Sequence, residues 1–237
     1  EATLPLTRQR ALLADQFDQG TASCNGTALP YRLYTPSSPE KLPLVLFLHG
    51  AGECGTDNLS QLTQSGGATV WLQRQQSDPA FACYILAPQC PVGDQCWTEP
   101  QLRAVKAALD AVLAAHPVDA NRLYLVGKSV GAGGGLRLNA LFPDLFAGLL
   151  LCACLVAEQD AVFEAAAQSL LGKNLWLFHA ADDPVAPVTI SRRLAAALES
   201  RGKQVNKHFF YTEYSAKYGL GHRCWDLALD TDLVARW

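Results

Sequence analysis

Short, almost purely apolar runs alternate with longer segments of helical periodicity, and this alternation constrains the fold more than any other feature. The apolar runs are Tyr31 to Tyr34, Leu44 to Leu48, Tyr84 to Ala87, Leu123 to Val126, Leu149 to Cys154, Leu175 to His179 and His208 to Tyr211. Runs with no polar face suit parallel strands covered on both sides. Between them, Gln101 to Ala115 carries an apolar stripe at Leu102, Val105, Leu109 and Val112. It stops at His116-Pro117, because the residue before a proline is turned out of the helical region. Ser129 to Leu141, Asp160 to Leu171 and Thr189 to Ser200 fit further helices, the last closed by Arg201-Gly202, where glycine suits a C-terminal cap. The pattern predicts an α/β fold with a doubly wound, mostly parallel central sheet and helices on both faces. A chain of 237 residues is long enough for one such domain, residues 1–237, and no repeat or low-complexity linker divides it.

Composition narrows the function classes. Net charge is −3, only 17% of residues are charged, and there is no basic tract, so neither nucleic acid nor an anionic membrane is an expected partner. The longest near-continuous apolar run, Ala147 to Ala157, falls short of the ~20 residues needed to span a bilayer. The chain has eight cysteines and no methionine, and it opens at Glu1 without a basic and apolar leader. This reads as a mature secreted or periplasmic chain whose signal peptide has been removed, with its cysteines in disulfides. The competing reading is a cytosolic chain with buried thiols.

The sharpest local signal is Leu123-Tyr-Leu-Val-Gly127-Lys-Ser129-Val-Gly131, followed by the small residues Ala132 to Gly135. A tight strand-to-helix turn holds a serine hydroxyl above the sheet in a strained conformation. Flanking glycines let neighbouring backbone approach. The helix that follows points its N-terminus at the site, and the Val130 N–H can donate to an oxyanion. A phosphate-binding reading of Gly127-Lys128-Ser129 fails on spacing, since position 122, where that loop needs glycine, is Arg122.

A serine at its ordinary pKa needs a base. Of the later histidines, His208 falls within a strand-like run and His179 ends an apolar strand, where it suits bracing a loop. His222 lies in the glycine-rich Gly219-Leu-Gly221-His222, where an exposed imidazole can reach over the sheet, and it is the expected base. For the acid, Leu175 to His179 runs into Ala180-Ala181-Asp182-Asp183-Pro184. Position alone does not separate Asp182 from Asp183. Near the start, the strand Leu44 to Leu48 enters His49-Gly50-Ala51-Gly52, where the Ala51 N–H can supply a second oxyanion donor.

Jointly these pieces resemble the α/β-hydrolase fold. More narrowly, the chain resembles the small secreted esterases grouped with feruloyl esterases, polyhydroxybutyrate-depolymerase-like enzymes and peptidase-like proteins. The resemblance rests on Phe47-Leu-His-Gly-Ala-Gly-Glu53, Gly55-Thr-Asp-Asn58, Ala87-Pro88-Gln-Cys-Pro91 with Trp97, Gly127-x-Ser129-x-Gly131, Phe178-His-x-x-x-Asp183-x-x-x-Pro187 and Gly221-His222-x-x-Trp225-Asp226. It implies a serine carboxylesterase with a Ser129-His222-Asp183 triad, Asp183 being chosen over Asp182, and with no metal or cofactor. It makes Trp225-Asp226 an anchor behind His222 and Trp97 a wall of the substrate groove, beside the generic reading of Trp97 as core. Lys128 departs from the family, which usually has an uncharged residue there; it faces either an anionic substrate or solvent. Cys90 and Cys96 are close enough in sequence to staple the Trp97 loop, and Cys54 and Cys224 flank the expected site. The short connection after Cys154 leaves no large cap, so the site is expected to be open to short-chain or polymer-borne esters in a monomeric enzyme. The competing readings are a serine peptidase on the same fold and a catalytically silent binding domain.

Overall fold

The computed structural model describes residues 6–64, 67–91, 96–156, 160–200, 209–215 and 221–230. The expected Arg201-Gly202 cap and His208 lie outside them. Among the described residues eight strands, most of them paired in parallel, are accompanied by helices, as the alternation predicts. The chain divides into two compact units, Glu1–Arg122 and Leu123–Trp237. No helix among the described residues is long and apolar enough to cross a membrane.

In the first unit β1 (Asp18–Cys24), β2 (Thr27–Tyr34), β3 (Leu42–Leu48) and β4 (Tyr84–Pro88) lie in the order β1-β2-β4-β3. β3 and β4 pair in parallel, and β2 runs antiparallel to both of its neighbours. Leu44, Leu46, Phe47 and Leu48 of β3 and every residue of β4 are buried, which is why these runs carry no polar face. The unit also holds α1 (Leu6–Ala14), α2 (Ser60–Thr63), α3 (Thr69–Ser77) and α4 (Glu99–Ala115). α4 buries the predicted stripe, Leu102, Val105, Leu109 and Val112. It begins two residues before the stripe indicates, because Thr98 and Gln101 form a capping box, in which the Thr98 N–H donates to Gln101 Oε1 at 2.8 Å. β1 escaped the sequence reading. It joins β2 through Asn25-Gly26, both with left-handed φ, 48° and 82°, the two-residue hairpin that such a dipeptide favours.

In the second unit β5 (Val118–Lys128, entering at Leu123), β6 (Gly148–Cys152), β7 (Asn174–Ala180) and β8 (Phe209–Tyr214) are parallel and adjacent in that order. β6 stops at Cys152, short of the apolar run's end, because Ala153 turns to φ 48°, outside strand geometry. One helix, α6 (Asp160–Ser169), lies between β6 and β7, and α5 (Val130–Leu141), α7 (Thr189–Ser200) and α8 (Trp225–Asp230) complete the unit. The glycines of α5 have a packing reason. A Cβ on Gly133 would collide with the Leu155 carbonyl oxygen, and one on Gly135 with the Leu125 side chain. Lys128 of β5 lies level with Cys152 of β6, and Cys152 with Phe178 of β7. The loops beyond these carboxyl ends are where an open parallel sheet presents functional groups.

Candidate active site

Ser129 stands between β5 and α5 with φ 55° and ψ −124°, a conformation that costs a non-glycine residue about 1–3 kcal/mol. Local bonds hold it there. Its N–H donates to the Cys152 carbonyl at 2.9 Å, and its own carbonyl accepts from the Ala132 N–H at 3.0 Å. The turn is tight enough that a Cβ on Gly127 would lie 2.6 Å from the Gly131 carbonyl oxygen, so only glycine fits there. Val130 is the first residue of α5, so its amide is among the N–H groups a helix leaves without an internal partner.

His222 lies in a 3-10 turn, Gly221–Arg223. Its Nε2 is 3.0 Å from Ser129 Oγ, and its Nδ1 is 2.8 Å from Asp183 Oδ2 and 3.1 Å from Oδ1. This arrangement fixes the tautomer: Nδ1–H donates to the carboxylate and Nε2 is left to accept from the serine hydroxyl. The Asp183 side chain is fully buried. Burial raises its pKa, but the Ala186 N–H, the His222 ring and the Val185 N–H outweigh that and hold the carboxyl below its ordinary value. Both amides donate to Oδ1 at 2.8 Å. Asp182 accepts instead from the Ser215 hydroxyl at 3.2 Å. Gly221 lets the two segments meet, since a Cβ there would lie 2.9 Å from the Asp182 carbonyl oxygen.

Two residues expected to line the substrate groove are placed elsewhere. Trp97 is 0% exposed; its Nε1–H donates to the His49 carbonyl at 3.0 Å and its ring packs on the His49 ring at 4.9 Å. A side chain with no free surface offers none to a substrate, so Trp97 is core. Lys128 is 1% exposed, facing neither solvent nor an open groove. Its Nζ lies 5.0 Å from the centre of the Trp225 ring, and that ring meets the His222 ring edge-on at 5.2 Å and 84°. The lysine therefore packs behind the histidine, where the Trp225 face can compensate part of its desolvation. The cysteine contacts also differ from the expected Cys90–Cys96 staple: the Cys96 thiol lies against the Cys54 thiol, while Cys90 Sγ contacts Gln101 Oε1 at 3.5 Å.

Ala51 opens a 3-10 turn, Ala51–Glu53, directly after β3 and Gly50. Buried polar groups of the same unit hold the turn. The Cys90 N–H donates to His49 Nε2 at 2.9 Å, so the His49 Nδ1–H donates to the Gly50 carbonyl at 2.6 Å. Gln89 Nε2 donates to the Glu53 carbonyl at 3.0 Å and to Asp57 Oδ1 at 2.6 Å. Among the described residues, no group of three or more His, Cys, Asp or Glu is disposed to hold a metal ion.

A family described as Esterase PHB depolymerase matches residues 29–190, more than half of the chain. The chain belongs to the Esterase PHB depolymerase family. A poly(3-hydroxyalkanoate) depolymerase C from Paucimonas lemoignei is 28% identical over 121 residues, covering 48% of this chain and 28% of its own length. A poly(3-hydroxybutyrate) depolymerase from Ralstonia pickettii is 29% identical over 146 residues, or 54% of this chain and 29% of its own. The crystal structure of a thermostable esterase superposes with a TM-score of 0.82 at 34% identity, over 95% of this chain and 63% of that one. The chain thus spans under a third of the curated depolymerases it matches. The α/β-hydrolase fold follows from these likenesses.

In this member of the Esterase PHB depolymerase family the matched residues include Ser129 and Asp183, whereas His222 lies beyond them and owes its place here to geometry. Sequence reasoning gave no role to Gln89, Ser191 or the His49 ring, which are braces, whereas His179 is the loop brace that its place at a strand end suggests. Ser191 Oγ–H donates to His179 Nδ1 at 2.7 Å, and His179 Nε2–H donates to the Ala186 carbonyl at 3.1 Å. Burial lowers the His179 pKa, so the ring is neutral and its 3.3 Å approach to Asp183 Oδ2 is a polar contact, not an ion pair. Only the placing of His179 at a strand end gave any signal of this.

Proposed function

We propose that the chain is a serine carboxylesterase acting as a single α/β-hydrolase catalytic domain, with Ser129 as nucleophile, His222 as general base and acid, and Asp183 orienting His222. The observation that carries the proposal is the continuous contact from Asp183 Oδ2 through both His222 nitrogens to Ser129 Oγ, at 2.8 and 3.0 Å. In this reading Ser129 Oγ attacks the ester carbonyl carbon as its proton passes to His222 Nε2. The imidazolium so formed is stabilised by Asp183, already ionised. The amide N–H groups of Val130 and Ala51 receive the oxyanion, where each such donor is worth about 2.7–4 kcal/mol. Collapse of the tetrahedral intermediate expels the alcohol, which takes the proton from His222 and leaves an acyl-serine. A water molecule, deprotonated by the same histidine, then releases the acid.

For substrate we propose short-chain or polymer-borne esters. Supporting this, the curated relatives are named as polyester depolymerases. The exposed apolar side chains Val185 and Leu227 also stand on the segments that carry Asp183 and His222. The cysteine-rich composition supports a secreted or periplasmic, disulfide-bonded enzyme, taken here as a monomer that needs no cofactor. A fluorophosphonate probe tests the site directly. The expected adduct falls on the tryptic peptide 129–137, bounded by Lys128 and Arg137, in folded protein only. A folded protein without that adduct sinks the proposal and leaves a binding domain.

A further inference from the structure

Cys54 and Cys96 are 42 residues apart in sequence, and their sulfurs lie 2.6 Å apart. That is far inside the contact distance of two non-bonded sulfurs and within reach of the roughly 2.05 Å of a covalent bridge. Cys54 ends the 3-10 turn that Ala51 opens, and Cys96 immediately precedes Trp97. The two segments already meet through the Trp97 Nε1–H bond to the His49 carbonyl at 3.0 Å and the Gly55 N–H bond to the Cys90 carbonyl at 2.9 Å. The third cysteine of this neighbourhood, Cys90, is fully buried; its sulfur lies against Gln101 Oε1 and accepts from the Trp97 N–H at 3.4 Å.

We propose that Cys54 and Cys96 form a disulfide that clamps the turn carrying Ala51 to the Trp97 segment. The bond forms by exchange with an external disulfide oxidant. Each cysteine thiol gives up one proton and one electron, the sulfurs join, and the oxidant takes up two protons and two electrons and leaves as two thiols. The bridge closes a long loop and so restricts the unfolded chain. Its action on the oxyanion turn rests on the esterase reading; the bond itself does not.

Peptide mapping decides the bond. The whole protein is equilibrated with glutathione disulfide, alkylated without reduction, and cleaved with trypsin and Asp-N. Cuts at Lys41, Asp57, Asp94 and Arg103 separate Cys54 and Cys96 from Cys83 and Cys90. Fragment 42–56 joined to fragment 94–103, and released by reduction, is the expected product. Alkylation of both thiols, or Cys96 joined to Cys90 in fragment 78–93, overturns the bond. Cys54→Ser, Cys96→Ser and the double variant each lower Tm by about 5–10 °C, with no further loss in the double; additive losses also overturn it. Reduction lowers the wild-type kcat for p-nitrophenyl butyrate several-fold at unchanged KM and leaves the double variant unaffected. A wild-type kcat indifferent to reduction overturns the clamp, whereas a wild type inactive in both redox states counts against the esterase reading instead.

Discussion

Asp183 must stay ionised where water does not reach it. Burial alone would push its carboxyl up; the amides of Ala186 and Val185 and the His222 ring bring it below the ordinary 3.8. A depressed carboxyl contributes stability that is present at neutral pH and lost as pH falls through its folded value. His179 acts at a higher pH. Burial lowers its pKa from 6.5, so on acidification the unfolded chain takes a proton before the folded one does. Its stability contribution is full above 6.5 and is lost as pH falls toward the folded value. Melting curves taken across this window should therefore show Tm falling below about pH 6.5, and His179→Gln should remove that slope; an unchanged slope contradicts the assignment. Lys128 gives a second test. Lys128→Met keeps the chain length and removes the cation from the Trp225 face, an interaction worth about 1–2 kcal/mol when desolvated. In the variant the ratio of KM for an anionic ester to that for its neutral counterpart should not move. A selective rise in KM for the anionic ester would return Lys128 to the substrate.

At the scale of elements, helix α5 sets helix propensity against packing. Gly133→Ala gains about 1 kcal/mol of propensity. It also drives a methyl group into the Leu155 carbonyl, part of a backbone that cannot swing aside. Packing wins, and a net loss of about 1–3 kcal/mol is expected in denaturant unfolding; a gain in stability would mean the helix can lift. The same contrast between local and tertiary control explains which elements are legible in sequence. β3, β4, β6 and β7 are buried along nearly their whole length, so each is written as an uninterrupted apolar run. β1 buries only Ala22 and has no such run, although Asn25-Gly26 marks its hairpin. α3 buries Thr69, Trp71 and Leu72 among glutamines, too few apolar residues to show a period. The elbow at Ser129 is legible because strand, glycines and helix are contiguous. The burial of Trp97 and Lys128 is not, because their partners, His49 and Trp225, are distant in sequence.

For the molecule as a whole, the family and the fold point to ester chemistry, and the relatives' names to polymeric substrates. The proposed triad does not by itself separate a soluble ester from one held in a polymer, since the reacting atoms would be the same. The first point to test is that Ser129 is the nucleophile that His222 and Asp183 serve. The most direct measurement is hydrolysis of p-nitrophenyl acetate and butyrate by the wild type and Ser129→Ala side by side. Turnover by the wild type, with kcat lower by at least about a thousandfold in the variant and an unchanged fold, is the expected result. Equal rates in the two proteins would contradict it and make the Gly127-Lys128-Ser129-Val130-Gly131 turn a purely structural feature.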